Sequence, residues 1–356
     1  MTVGIQSSLV SVCNGRFRIE GDGVPVRVPD VVLKCVGFVG EVTHTEPDGS
    51  ITGDLNATGF FVSIPLTDKP GLGPRAVYFV TAKHVASDLK NRDFYFLVNR
   101  RGGGVKNLRA VVGDWSTHPN DPTADVALIQ VGNDPEADID TVDLKWLATP
   151  ERLKFLNIGI GDEVHATGLF TPVPGERRNV PIVRFGNIAM MPEEQIQTDL
   201  GFADVFLVEA RSLGGISGSP VFVRPTINYK LPPEMQHGDV KNAYWCGHGA
   251  TLLGLMHGHW DIRESEMNKA FFTHDRKHGV NMGIAIVVPA IKILETLNCA
   301  ELVEFRERMK QQLRTRMVPG ADSVKPKEST DQMLTKEDFE VVLKKASRKI
   351  AVPEKK

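Results

Sequence analysis

The chain has 356 residues, with 42 Lys and Arg against 44 Asp and Glu and a hydrophobic fraction of 41%. This length is enough for two or three domains with a sizeable core. The formal net charge of −2 gives the chain no general attraction to nucleic acid, and no apolar run reaches the roughly 18 residues of a membrane span. We therefore expect a globular protein with neither a nucleic-acid nor a membrane partner.

The start of the chain and its cysteines indicate the compartment. Met1–Val10 has neither the basic segment nor the apolar segment of a secretory signal. The cysteines fit neither a metal knuckle nor a dense disulfide framework. They are Cys13, Cys35, Cys246 and Cys299. This pattern of cysteines predicts that the protein is located in a reducing cytoplasm. The even number of cysteines leaves two disulfide bridges as an alternative.

Short β-type runs separated by Gly, Pro, Asn and Asp dominate residues 30–290. Many short strands with turn signals between them predict a β-barrel or a β-sandwich. The runs are Val31–Phe38, Gly59–Ile64, Val77–Val80, Phe94–Val98, Val126–Val131, Glu163–Gly168, Val205–Glu209, Pro220–Val223 and Thr251–His257. Two polar stretches, Arg224–Trp245 and Trp260–Asn281, are too long for simple hairpins and predict functional loops.

Two helices are predicted after the last β-type run. Pro289 precedes Ile291, Leu294 and Leu297, which follow one another at helical spacing. Ala300–Met317 then carries one apolar stripe opposed by charged and amide side chains. Such a stripe either packs on the chain's own barrel or binds a partner.

Residues 318–356 are predicted to form a flexible basic tail. The stretch 318–329 is a polar linker, and Thr335 has the sequence context of an N-cap for a short helix. From Arg306 onward the chain has 14 Lys and Arg against 8 Asp and Glu. No interleaved aromatic residues indicate nucleic-acid binding, so the alternatives are solvation, docking on the chain itself, or a protein partner.

Three segments carry candidate catalytic side chains. Ser217 lies between glycines in Gly214–Phe222, where small residues let a reacting carbonyl approach the main chain closely. His84 follows a β-type run, and Asp125 directly precedes the run Val126–Ile129. The order His, Asp, Ser is that of chymotrypsin, whereas subtilisin and the α/β-hydrolases have other orders.

These segments resemble the trypsin/chymotrypsin-like serine peptidases, and most closely the bacterial HtrA/Deg-like branch. The resemblance covers residues 30–298, and its motifs are Thr81–Val85, Asp125–Ile129, Gly215–Pro220 and Asn281–Pro289. It implies an all-β fold of two antiparallel β-barrels with the active site between them, followed by C-terminal helices. The expected divisions are an N-terminal segment 1–29, a first barrel 30–137, a crossing 138–149, a second barrel with exit helix 150–298, and a helix 299–317.

The resemblance also implies a reaction, namely peptide-bond hydrolysis through an acyl-enzyme intermediate with polypeptides as substrates. His84 would take the proton of Ser217, and Asp125 would orient and stabilise the imidazole. The backbone N–H groups of Gly215 and Ser217 would form the oxyanion hole. Neither a metal nor an organic cofactor is needed.

The chain departs from these relatives at the residue before the serine and after the peptidase region. Ile216 precedes the serine, where trypsins have Asp and the HtrA branch usually has Asn. The sequence therefore leaves open what holds the oxyanion loop, and the alternative function is a pseudoprotease or partner-gated binding module with a closed loop. The stretch after the peptidase region is also too short for the PDZ domain that HtrA proteins usually have.

Three residues are candidates for the specificity pocket. Arg211 occupies the pocket-floor position and would favour acidic substrate side chains, unless it points out of the pocket. His257 and His259 lie on the strand that lines the pocket, with His257 at a position that is commonly Ser. A zinc site is the alternative for this region. Its ligands would come from Cys246, His248, His257, His259 and Asp261.

Overall fold

A computed structural model describes residues 11–13, 16–18, 28–47, 51–67, 73–109, 115–132, 134–175, 177–210, 215–224, 251–262 and 280–317. The strands are β1 Ser11–Cys13, β2 Arg16–Arg18, β3 Val36–Thr45, β4 Ile51–Pro65, β5 Arg75–Thr81, β6 Phe94–Asn99, β7 Val105–Arg109, β8 Ser116–Thr117, β9 Ala127–Val131, β10 Val142–Asp143, β11 Glu163–Gly168, β12 Ile182–Met190, β13 Ile196–Thr198, β14 Gly201–Ala203, β15 Phe206–Glu209, β16 Pro220–Arg224, β17 Thr251–Ile262 and β18 Val280–Pro289. The helices are α1 Asp30–Lys34, α2 Lys83–Asp88, α3 Pro150–Leu156, α4 Ala290–Leu297 and α5 Ala300–Met317, with a 3-10 turn at Leu144–Trp146.

The first half of the chain forms an antiparallel sheet in the order β7-β6-β3-β4-β5-β9-β8. The short strand β10 pairs with β4 in parallel. Fully buried aromatic side chains lie on both faces of this sheet. Phe38 and Phe60 lie on one face, and Phe61, Phe79 and Phe96 pack ring against ring on the other. Gly59 makes room for them, because a Cβ at this position would lie 2.2 Å from the Phe79 ring.

The second half forms a closed barrel in the order β11-β12-β15-β18-β17-β16. Alternate residues of its strands point inward and form one apolar core. This core includes Val164, Ala166, Ile188, Phe206, Val208, Val221, Leu253 and Val287. The prediction of an all-β fold with two antiparallel β units and C-terminal helices is confirmed.

The two predicted helices after β18 are present with their expected starts. Pro289 is the N-cap of α4, and Ile293 and Leu297 of this helix are buried. On α5, the buried Arg306 donates through Nη1 to the Leu297 carbonyl at 2.8 Å and to the Tyr78 hydroxyl at 3.3 Å. Because an unpaired buried guanidinium would be costly, these bonds hold this part of α5 on the first sheet. Within the described ranges, no helix combines the length and apolar character needed to cross a membrane.

One predicted strand is wrong at its beginning. The run Val31–Phe38 contains helix α1 up to Lys34, and the strand β3 starts only at Val36. Pro29 forms the N-cap and Asp30 opens the helix, where a carboxylate is favourable. The Cys35 N–H donates to the Val31 carbonyl at 2.8 Å and ends the helix.

Several predictions concern residues outside the described part of the chain. These are Arg211, most of the stretches Arg224–Trp245 and Trp260–Asn281, and the tail from residue 318. Of the cysteines, Cys35 and Cys299 are described with their side chains, and both are free thiols.

His165 is buried on the outer face of β11. Its Nε2 has no hydrogen-bond partner among the described residues. Its ring stacks on Phe222 with 5.6 Å between centroids. Burial lowers the pKa of His165 to about 4, and the positive charge of Arg224 adds to this effect. His165 is therefore neutral in the folded protein at neutral pH.

This histidine is expected to make the protein less stable in acid. The unfolded chain takes up the proton near the ordinary histidine pKa of 6.5, whereas the folded chain does so only near 4. The free energy of unfolding should therefore fall between about pH 6.5 and about pH 4, by on the order of 3 kcal/mol. Urea denaturation across this range measures the effect. A His165→Phe variant keeps an aromatic ring without the proton, and an equal pH dependence in both proteins would contradict the assignment.

Candidate active site

His84 lies in the first turn of α2, directly after β5. Ala82 is extended and acts as the N-cap, so the chain turns into the helix just before the histidine. The backbone N–H of His84 donates to Asp125 Oδ1 at 2.9 Å. The position of the histidine main chain is thus tied to the same carboxylate that its side chain contacts.

Asp125 lies in the loop between β8 and β9, and a second carboxylate shapes this loop. Asp121 Oδ1 accepts from the Thr123 N–H at 3.0 Å and the Ala124 N–H at 3.2 Å. Its other oxygen forms an ion pair of 2.8 Å with Lys292 on α4. Burial alone would raise the pKa of Asp121, but the bonds from Lys292 and Thr123 outweigh it and hold this pKa well below its usual range.

Two histidines converge on Asp125. His84 Nδ1 lies 2.8 Å from Asp125 Oδ2, and His257 Nδ1 lies 2.5 Å from the same oxygen. The two rings meet edge to face with 5.4 Å between centroids. The Asp125 side chain is only 2% exposed, and that of His84 is 36% exposed. The carboxylate is therefore the buried end of the cluster and His84 is the end that reaches solvent.

The electrostatics favour a charged Asp125. Burial alone would raise the pKa of Asp125, but hydrogen bonds from His257 and His84 hold it well below its usual range. Burial likewise opposes the protonated form of His84, and its bond to Asp125 more than compensates, so the pKa of His84 is raised. Asp125 is thus an anion at neutral pH and stabilises a positive charge on His84.

His257 has a different environment from the one we predicted. We expected a pocket residue, but its ring is turned onto Asp125, with the side chain only 13% exposed. The backbone of His259 lies on β17, and its side chain lies outside the described atoms, as does Arg211. Of the three pocket candidates, the structure therefore describes the contacts of His257 alone.

The same cluster bears on the zinc alternative. Among the described residues, His84, Asp125 and His257 are the one group whose ligand-type atoms lie within 4.8 Å of one another. Zinc needs about 2.0–2.2 Å to each ligand atom. Here both ring nitrogens aim at one carboxylate oxygen at hydrogen-bond distance, which is the geometry of a proton network. Cys246 and His248 lie outside the described residues.

The serine turn is held between the two β units. Gly215 and Gly218 have φ values of 91° and 80°, a region that side chains disfavour. A Cβ on Gly218 would lie 2.2 Å from the Thr58 carbonyl oxygen. The Ser217 carbonyl accepts from the Thr58 N–H at 3.0 Å, and the Gly218 N–H donates to the Met256 carbonyl at 2.8 Å.

Ile216 answers the question that the sequence left open about the oxyanion loop. Its side chain is 1% exposed and belongs to the apolar core of the closed barrel. Burying such a side chain contributes roughly 1.5–3 kcal/mol. The position that is charged or polar in the resembling families is here an apolar anchor, so this turn needs no partner for a carboxylate.

The groups that would act on a substrate are not bonded to the rest of the described structure. Among the described residues, neither the Ser217 hydroxyl nor the N–H groups of Gly215 and Ser217 have a hydrogen-bond partner. In enzymes without bound substrate, hydrogen bonds between catalytic groups are often long, and they tighten only when substrate binds. The arrangement is that of a chymotrypsin-like β-barrel protein with His, Asp and Ser elements in the chymotrypsin order.

Two solved structures are similar in fold to this chain. The protease domain of MamO from Magnetospirillum magneticum matches with a TM-score of 0.44 and 17% identity, over 75% of this chain and 98% of that one. Deg5 matches with a TM-score of 0.37 and 16% identity, over 57% of this chain and 82% of that one. No protein-family model and no curated protein matches the chain. At these identities the likeness concerns the fold alone.

Proposed function

We propose that this protein is a serine endopeptidase with Ser217 as nucleophile, His84 as general base and Asp125 as the orienting carboxylate. The observation that carries the proposal is the His84–Asp125 pair, with 2.8 Å between Nδ1 and Oδ2 on a buried carboxylate. A carboxylate in this position fixes which ring nitrogen carries the proton. The other nitrogen, Nε2, is then the free base.

The proposed reaction moves one proton twice. The Ser217 oxygen attacks a peptide carbonyl carbon while His84 Nε2 takes the hydroxyl proton, and His84 then gives this proton to the leaving amine. Water then attacks the carbonyl carbon of the acyl-enzyme while His84 takes one of its protons. His84 returns this proton to the Ser217 oxygen as the acid is released. The Gly215 and Ser217 N–H groups would bind the oxyanion, since they have no partner among the described residues. Asp125 stabilises the imidazolium throughout.

A fluorophosphonate probe tests this proposal directly. Such a probe phosphonylates a serine hydroxyl only where a base and an oxyanion site activate it, so the wild-type protein should be labelled and peptide mass spectrometry should place the adduct on Ser217. Ser219 provides a matched control because its hydroxyl is fully buried and has no partner among the described residues. A Ser219→Ala variant should label like the wild type. No labelling of the wild type would overturn the proposal.

The second candidate is a binding module that uses the same cleft without hydrolysis. The observation that favours it is the Ser217 hydroxyl, which makes no hydrogen bond to His84 among the described atoms. In this case polypeptides would bind to wild type and Ser217→Ala protein equally well, and neither would be labelled.

The location of the protein and its partner are also part of the proposal. We infer a cytoplasmic location because Cys35 and Cys299 are free thiols. We also infer that the basic tail from residue 318 binds a protein partner. Comparing partner capture by the full chain and by a chain ending at residue 317 tests the second point, and equal capture would exclude it.

A further inference from the structure

Thr58, on β4, contacts the serine turn on both sides of Ser217. Its N–H donates to the Ser217 carbonyl at 3.0 Å. Its hydroxyl donates to the Gly215 carbonyl at 2.8 Å and accepts from the Leu169 N–H at 2.8 Å. Its own carbonyl accepts from the Thr81 hydroxyl at 2.8 Å. Thr58 is fully buried, so all four bonds are shielded from water.

The direction of the hydroxyl bond follows from its neighbours. The Leu169 N–H can only donate, so it occupies a lone pair on Thr58 Oγ1. The hydroxyl proton is then free to be donated, and the Gly215 carbonyl lies at the right distance to accept it. Each polar group in this small buried network therefore has a partner, and the network has one consistent arrangement.

The bonds hold two of the three peptide planes in the serine turn. Because a peptide is planar, binding the Gly215 carbonyl fixes the plane that joins Gly215 to Ile216. Binding the Ser217 carbonyl fixes the plane that joins Ser217 to Gly218. The Ser217 N–H belongs to the plane between them, whose Ile216 carbonyl accepts from the Ser219 N–H at 3.0 Å. Thr58 therefore holds the planes on both sides of the Ser217 N–H, and the Ser219 bond holds the plane itself.

We infer that Thr58 is a positioning residue that keeps the oxyanion hole assembled, acting through Gly215 and Ser217. Glycines give the turn little resistance to rearrangement, and Gly215, with a φ of 91°, is in a region that glycine enters and leaves readily. Ile216 anchors the turn to the closed barrel, and Thr58 anchors it to the first sheet. The inference rests on the proposed peptidase function and makes Thr58 one of the residues that set its kcat.

The test compares Thr58→Val with the wild type in steady-state kinetics. Valine keeps the shape and removes the hydroxyl, leaving the Gly215 carbonyl and the Leu169 N–H unpaired. We expect kcat to fall about 10- to 100-fold, somewhat less than for losing an oxyanion donor outright, with KM changed by less than about threefold. Affinity for a peptide boronate, which mimics the oxyanion, should fall by the same factor as kcat.

Two further variants separate positioning from general stability. Thr58→Ser retains the hydroxyl and should recover most of the lost kcat. Thr251→Val removes the hydroxyl of another buried threonine, which accepts from Arg152 Nη2 at 3.2 Å and makes no hydrogen bond to the serine turn. It should lower the melting temperature and leave kcat unchanged. If Thr58→Val does not fold, Thr58→Ala takes its place.

The outcomes distinguish this inference from the proposed function. A wild-type protein that is inert to fluorophosphonate overturns the peptidase proposal and the inference with it. A reactive wild type whose Thr58→Val and Thr58→Ala variants keep their kcat overturns the inference alone. Equal losses in Thr58→Val and Thr58→Ser would also overturn it, because the hydroxyl would then have no part in the effect.

Discussion

Replacing Ser217 by alanine is expected to lower kcat for peptide hydrolysis by on the order of 10⁶-fold, the loss seen when a serine peptidase loses its nucleophile. The structure predicts that the fold survives, since the bonds from the Thr58 N–H and to the Met256 carbonyl involve only the main chain of the turn. A residual rate of about 10³–10⁴ over water should remain from the oxyanion hole and substrate binding. Cleavage of a peptide library by both proteins measures the effect.

Ser219→Ala is the matched control for this prediction. It removes a hydroxyl two residues away on the same turn, without any bond to lose among the described residues. Its kcat should equal that of the wild type. Wild-type turnover by Ser217→Ala at an unchanged melting temperature would end the assignment of the nucleophile.

Replacing Asp125 by asparagine is expected to lower kcat by about 10⁴-fold. The carboxylate accepts three N–H groups, from the main chain of His84 and from the rings of His84 and His257. An amide has one oxygen, so it cannot accept on both sides. If its NH₂ faces the rings, His84 must move its proton to Nε2, and the nitrogen that should act as base is then blocked.

The measurement is kcat at neutral pH, with the melting temperature as a check on folding. Asp134→Asn is a suitable control, because this carboxylate also forms a close ion pair, 2.7 Å to Lys106, but makes no contact with the site. Its kcat should be that of the wild type. A kcat for Asp125→Asn within about tenfold of the wild type would show that Asp125 does not orient His84.

The sequence predicts those parts of this protein that depend on neighbours along the chain. The start of α4 follows from Pro289 and the helical spacing of apolar residues after it. The all-β fold follows from short apolar runs between turn residues. Local pattern fails at α1, where the β-branched Val31 and Val32 favour a strand but Pro29 and Asp30 start a helix.

Parts of the candidate site that depend on distant contacts could not be predicted. Thr58 and Gly215 are separated by 157 residues, and nothing in the sequence around Thr58 indicates that its hydroxyl meets that turn. The sequence predicts the strand on which His257 lies, but the direction of its ring depends on Asp125, 132 residues away. In the sequence, Ile216 is only a departure from the serine motif. Its place in the core of the closed barrel becomes known from the structure alone.

The ion pair between Lys292 and Asp121 has a consequence for the protein during its synthesis. Asp121 shapes the loop that presents Asp125, and Lys292 lies on α4, which follows every strand of both β units. Chains fold from the N-terminus as they emerge, so the first sheet can form long before this brace exists. A growing chain would then carry a loosely held Asp125 until its final strands and α4 have folded. Under the proposed peptidase function, hydrolytic activity would therefore arise only at this last step of folding.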